Sequence, residues 1–141
     1  KYRKEAESVY FSLEKFFKEK LGAEMYWILE AIELAHQLEY EEFIGRKEKT
    51  LLCSECPGWI CYAEKTLTDQ VVRLLSRVKS PQQVLGRVVK ERLPKSLVLS
   101  VMPCYDKKLE AVRPAENGFI EVDTVLATHE ILELPSINSE D

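Results

Sequence analysis

Leu97-Val98-Leu99-Ser100-Val101-Met102-Pro103-Cys104 is the stretch on which the fold turns. Its unbroken, mainly apolar run suits a strand covered on both faces, the pattern of a parallel sheet. Pro103, without an N–H, closes the ladder. Just upstream, Ser80-Pro81-Gln82-Gln83 opens a helix. Ser80 serves as N-cap, Pro81 takes the first turn, and Gln83 completes a capping box. Val84, Leu85, Val88 and Val89 carry this helix to Arg92, and Pro94 ends it. Downstream, Asn117-Gly118 marks a turn, Glu121–Leu126 reads as another strand, and a short helix starts around Thr128 to Leu132.

The N-terminal half repeats the alternation. Ala6, Val9, Leu13, Phe16 and Phe17 share one face of a helix over Lys4–Lys20, and Gly22 stops it. Met25–Leu29 reads as a strand, and Ala31–Arg46 as a helix that ends at Gly45. Glu39, Glu41 and Glu42 on that helix read as a solvated face. Thr50–Cys53 is a further strand, running into a helix that Pro57 opens, with Trp59, Ile60 and Ala63 packing inward. Strands alternating with helices define the expected class: α/β, a mostly parallel sheet of about four strands with crossover helices. Residues 1–132 form the expected domain, and the polar stretch 133–141 is an extended or frayed tail. The chain opens on Lys1 inside a helical pattern, so it reads as part of a longer protein.

Composition narrows the function. The chain has 141 residues, 45% of them hydrophobic and 31% charged, which fits one globular domain. A net charge of −4 with no basic block argues against phosphate-backbone binding, so nucleic acid is not an expected ligand. No apolar run reaches the roughly 18–20 residues of a membrane span.

Chemistry concentrates on cysteine. In a parallel sheet, ligands gather at the carboxyl ends of strands. Cys56 and Cys104 both follow strands at that edge, 48 positions apart in sequence. Cys53-Ser54-Glu55-Cys56 is also a C-x-x-C, open to a zinc or dithiol reading. As a residue of a buried strand, Cys53 would point its thiol into the core. Cys53 and Cys61 also read simply as buried thiols.

Cys56-Pro57-Gly58-Trp59, Lys79-Ser80-Pro81-Gln82-Gln83 and Met102-Pro103-Cys104-Tyr105-Asp106-Lys107-Lys108-Leu109-Glu110-Ala111 resemble, in order and spacing, successive motifs of the iron-only hydrogenase large-subunit family. Val122–Glu130 resembles the strand that follows there. The resemblance covers roughly residues 5 to 132. It implies that Cys56 and Cys104 are two of four cysteine ligands to a [4Fe–4S] cluster, the other two coming from a C-x-x-x-C far downstream. In hydrogenases a dinuclear iron centre hangs on that cubane. The motif lysine, matched by Lys107, donates to a diatomic ligand of the centre, and a motif glutamate falls on Glu110.

Hydrogenases carry a second cysteine before Cys-Pro-Gly-Trp that moves protons, and here Glu55 stands in its place. The wording is similar to the eukaryotic Nar-type cytosolic iron–sulfur assembly factors and the related prelamin A recognition factor. That branch implies cluster binding without hydrogenase activity, and transfer of clusters to apoproteins with cytosolic assembly and targeting proteins as partners. The implied location is cytoplasmic, extending to the nucleus. A catalytic domain of an iron-only hydrogenase is the alternative, and a zinc or dithiol module on Cys53 and Cys56 a third reading. Two thiolates cannot complete a cubane, so this stretch by itself is expected to hold a cluster poorly.

Overall fold

A computed structural model describes residues 2–115 and 117–133. Seven helices and two strands follow in chain order among these residues. They are α1 (Tyr2–Leu21), α2 (Leu29–Gly45), α3 (Pro57–Thr66), α4 (Asp69–Val72), α5 (Pro81–Arg92), β1 (Leu99–Met102), α6 (Asp106–Ala111), β2 (Thr124–Ala127) and α7 (Thr128–Leu132). Of the expected tail, Glu133 lies in a turn and 134–141 fall outside the described residues.

The described chain divides into two compact units, residues 28–128 and a smaller one that draws on 2–27 and 129–133. In the smaller unit, α1 stops at Gly22, whose φ of +61° only glycine adopts without strain. The amides of Gly22 and Ala23 return to the carbonyls of Lys18 and Phe17 at 3.1 and 3.2 Å. The stretch expected as a strand at Met25–Leu29 is irregular up to Trp27, and its last residue opens α2. Its aromatics hold it by side chain instead, with Trp27 stacked on Tyr10 at 3.8 Å between ring centroids.

In the larger unit β1 and β2 pair in parallel, Leu99 opposite Thr124 through Met102 opposite Ala127, with α6 in the crossover. Ala111, Val122 and Val125 form the core beneath this pair, with Val98 and Met102 packed against it. The expected sheet of about four strands therefore reduces to two among the described residues. Thr50–Cys53 contributes one parallel bridge, Leu52 to Leu75. The Leu52 amide donates to the Leu74 carbonyl at 2.8 Å, and the Ser76 amide to the Leu52 carbonyl at 2.7 Å. A β-run becomes a strand only where a second run meets its N–H and C=O groups. The 73–77 segment meets Leu52 for a single step.

The acidic face of α2 is also not simply solvated. Glu39 is buried, and Glu42 is half-buried. Glu42 accepts from the Arg46 guanidinium, from the Ser76 hydroxyl at 2.8 Å and from the Arg77 amide at 3.0 Å. Arg46 also donates to the carbonyls of Arg73 and Leu75, so the end of α2 clasps the 73–77 loop. Further along, α5 meets the approach to β2 at Gly86. A Cβ there would run into the Glu121 carbonyl and lie 2.9 Å from Val122 Cγ2.

Candidate functional site

Cys56 caps α3. Its backbone is extended (φ −93°, ψ 112°), Pro57 takes the first turn, and its Sγ accepts the Trp59 amide at 3.4 Å. The residue is exposed. Cys104 follows the end of β1 and is half-buried, two residues ahead of α6. The two cysteine loops are brought together by Lys107. Its Nζ donates to the Glu55 carbonyl, one residue before Cys56, at 2.6 Å. Asp106 also leans on the α3 start, and a Cβ on Gly58 would meet its carboxylate, with Cys56 Sγ 3.9 Å away. Glycine here lets helix and loop approach.

Lys107 and Glu110 stand in the sequence as residues of the motif that follows Cys104. Both are in fact buried and paired, with Lys107 Nζ 3.0 Å from Glu110 Oε2. The same Oε2 accepts from Ser80 Oγ at 2.8 Å and Gln82 Nε2 at 3.1 Å. Gln82 Nε2 also reaches the Lys107 carbonyl, and Gln83 Nε2 donates to the Glu110 carbonyl at 3.3 Å. Ser100 on β1 donates to Gln82 Oε1 at 3.2 Å. Among the described residues no buried side-chain nitrogen or oxygen lacks a hydrogen bond. A buried ion pair is tolerable on that condition.

Ser80 and Gln83 correct the sequence reading. Ser80 is the N-cap and Pro81 the first helical residue, yet the Ser80 side chain makes no capping bond. Its hydroxyl goes to a buried carboxylate, because a charge-assisted bond outweighs a neutral cap. The signal was present as a serine and two glutamines at the start of a helix. Nothing in the spacing, however, says that the carboxylate they serve lies about 30 residues on.

The other cysteines behave differently. Cys53 is exposed, where a strand position had implied burial. Partial desolvation of its sulfur comes first, then the charge of Glu39 and a hydrogen bond to it, then the charge of Glu55; together they hold the thiol above its ordinary pKa. Zinc binding and dithiol exchange both use the thiolate, so this environment works against them. Cys61 receives Arg113 Nη2 at 3.3 Å. Trp59, expected inward, is half-buried and stacks on Tyr62 at 6.2 Å. Glu55 turns its carboxylate toward His36 Nε2 at 3.6 Å and stays 43% exposed.

The donor chemistry fits an iron–sulfur cluster in part. Two cysteine sulfurs sit on adjoining loops, one of them already held by a backbone N–H, the kind of bond that tunes cluster sulfur. Among the described residues no three or more His, Cys, Asp or Glu side chains group to hold a metal by themselves.

One parallel strand pair with α6 in its crossover, and a buried lysine on α6 that bonds the turn before α3, define an α/β unit. The chain belongs to the family defined by the C-terminal domain of the iron-only hydrogenase large subunit, and the family model matches residues 11–138. It is 46% identical over 110 residues to the protein NAR1 of Arabidopsis thaliana, covering 64% of this chain and 23% of that protein. Identity to the cytosolic iron-sulfur assembly component 3 of Rattus norvegicus is 42% over 106 residues, covering 67% and 22%. A variant of apo [FeFe]-hydrogenase HydA1 from Chlamydomonas reinhardtii superposes with a TM-score of 0.52 at 33% identity, over 72% of this chain and 28% of that one. The chain thus spans about a quarter of the length of these relatives. No helix among the described residues is long and apolar enough to cross a membrane.

Proposed function

We propose that Cys56 and Cys104 are two of the four thiolate ligands of a [4Fe–4S] cluster in a cytosolic iron–sulfur assembly factor. The protein passes clusters to apoproteins and does not turn over hydrogen. The observation that carries the ligand assignment is the Lys107 bond to the Glu55 carbonyl at 2.6 Å, which ties the loop of one cysteine to the helix behind the other. When bound, the cluster supplies an electron-accepting, transferable iron–sulfide core. The chain's part is to present two sulfurs, to hold the Cys56 sulfur by the Trp59 amide, and to keep Lys107 and Glu110 beside the cysteine loops.

Relatives named for cytosolic iron–sulfur assembly support the choice of an assembly factor, as does Glu55 where the resemblance puts the proton-carrying cysteine of hydrogenases. The same names support cytosolic assembly and targeting proteins as partners and the cytosol as the working location. Reconstituting the protein with iron and sulfide and counting iron per chain tests the ligands. Cys56→Ala and Cys104→Ala should each lose most of the iron bound at this site, whereas Cys53→Ala should not. Undiminished iron in either ligand variant would remove that residue from the assignment.

A further inference from the structure

The Glu110 nest ties together more than it needs for its own burial. From β1, Ser100 bonds Gln82; from α5, Ser80 and Gln82 bond the Glu110 carboxylate; from α6, Glu110 pairs with Lys107; and Lys107 reaches the Glu55 carbonyl. Every link crosses between elements except the Lys107–Glu110 pair three residues apart within α6. A lysine on a four-carbon stem has many rotamers, and a single backbone acceptor would not select one. The carboxylate does so, and it is itself held by donors from α5. The last acceptor is the carbonyl of the residue before a proposed ligand, in the turn whose next residue caps α3 through sulfur.

We propose that Glu110 is a positioning residue for the Cys56 sulfur. It aims the Lys107 ammonium at the Glu55 carbonyl, and Lys107 thereby pins the Cys56 loop against the helix that follows Cys104. Ser80 and Gln82 hold Glu110 in place for this. The inference deepens the proposed ligand role of Cys56 and rests on it for its consequence at the cluster. The staple itself is made of protein groups alone.

Amide hydrogen exchange on the metal-free protein reads the staple directly. In Lys107→Met and in Glu110→Gln, the Trp59 and Ile60 amides should exchange about tenfold faster, the factor one charge-assisted hydrogen bond supplies. The Leu52 and Ser76 amides, bonded to the 73–77 segment and away from the staple, should keep their wild-type rates. Lys107→Arg, which retains a cationic donor, should restore much of the protection. Gln82→Ala removes one donor to Glu110 without stranding the lysine, and should loosen the same two amides by a smaller factor. In the iron-loaded protein, Glu110→Gln should shift the cluster's electron paramagnetic resonance signal.

Wild-type exchange at Trp59 and Ile60 in Lys107→Met would overturn the proposal. So would acceleration spread evenly over Leu52 and Ser76 in the mild Gln82→Ala variant, since that describes general loosening. The two readings separate cleanly. Full iron content in Cys56→Ala would remove the ligand while leaving the exchange result standing, and unchanged exchange would remove the staple while leaving the ligand standing.

Discussion

At the scale of single residues, the chemistry of this protein is set by which side chains are held and by what. Cys56 and Cys53 stand three positions apart, yet one takes a backbone N–H onto its sulfur and the other sits beside the Glu39 carboxylate. The second environment opposes a thiolate. Gly86 shows the same dependence on neighbours. Its missing Cβ is what lets α5 approach the Glu121 backbone, and a carbonyl cannot swing aside as a side chain can. Gly86→Ala should cost about 1–3 kcal/mol through overpacking. Thermal unfolding should show it as a drop of about 3–10 °C. Gly58→Ala should cost less, because its obstacle is the movable Asp106 side chain. Equal melting temperatures for wild type and Gly86→Ala would disprove the close approach.

At the scale of elements, two carboxylates join segments that the sheet does not. Glu42 ties α2 to the 73–77 loop, and Asp123 ties α5 and the entry to β1 through Lys90 at 2.8 Å and the Val98 amide at 2.7 Å. Burial alone would raise both pKa values. For Glu42, the Ser76 hydroxyl, Arg46 and the Arg77 amide reverse this; for Asp123, Lys90 and the Val98 amide do. Both carboxyls therefore titrate below their ordinary values in the native state. The unfolded chain binds more protons there, so their contribution is complete above the ordinary carboxylate range of about pH 4 and is lost as pH falls through it toward the lowered native values. Urea midpoints measured from neutral pH downward should fall most steeply in that acid range. The Glu42→Gln, Asp123→Asn double variant should be less stable at pH 7 and show a flatter acid slope. An unaltered slope would mean that these links do not carry the pH dependence.

At the scale of the whole molecule, the question is whether a hydrogenase-related framework still performs hydrogenase chemistry. It superposes on a [FeFe]-hydrogenase, and the proposal that it lacks hydrogen turnover leans on Glu55. Glu55 is half-exposed and faces His36. The full protein, matured and assayed with reduced methyl viologen, should evolve no hydrogen above background while retaining iron. A robust rate abolished by Cys104→Ala would make it an enzyme instead.

Much of this was legible in the order of residues. Leu99–Met102 of the Leu97–Met102 run forms β1, though Leu99 and Val101 stay exposed where cover on both faces was expected; Thr124–Leu126 of the Glu121–Leu126 run opens β2, and Gly22, Gly45 and the Ser80-Pro81 pair mark helix ends where they were expected. Apolar periodicity and backbone-restricted residues act locally, so they can be read locally. The two cysteines and the lysine–glutamate motif were also visible as residue types in register.

Only the tertiary structure decided the rest. Met25–Leu29 and Thr50–Cys53 had strand composition, but a ladder needs a second run beside it, and that is a fact about distant segments. The same holds for Ser80, which had the makings of a cap and was drawn instead to a carboxylate 30 residues away. Folding buries Lys107 and Glu110 together as an ion pair whose members each bond a further partner. Local sequence determines which groups a segment can offer; folding determines which offer is taken, because a buried charge is costly until another part of the chain answers it.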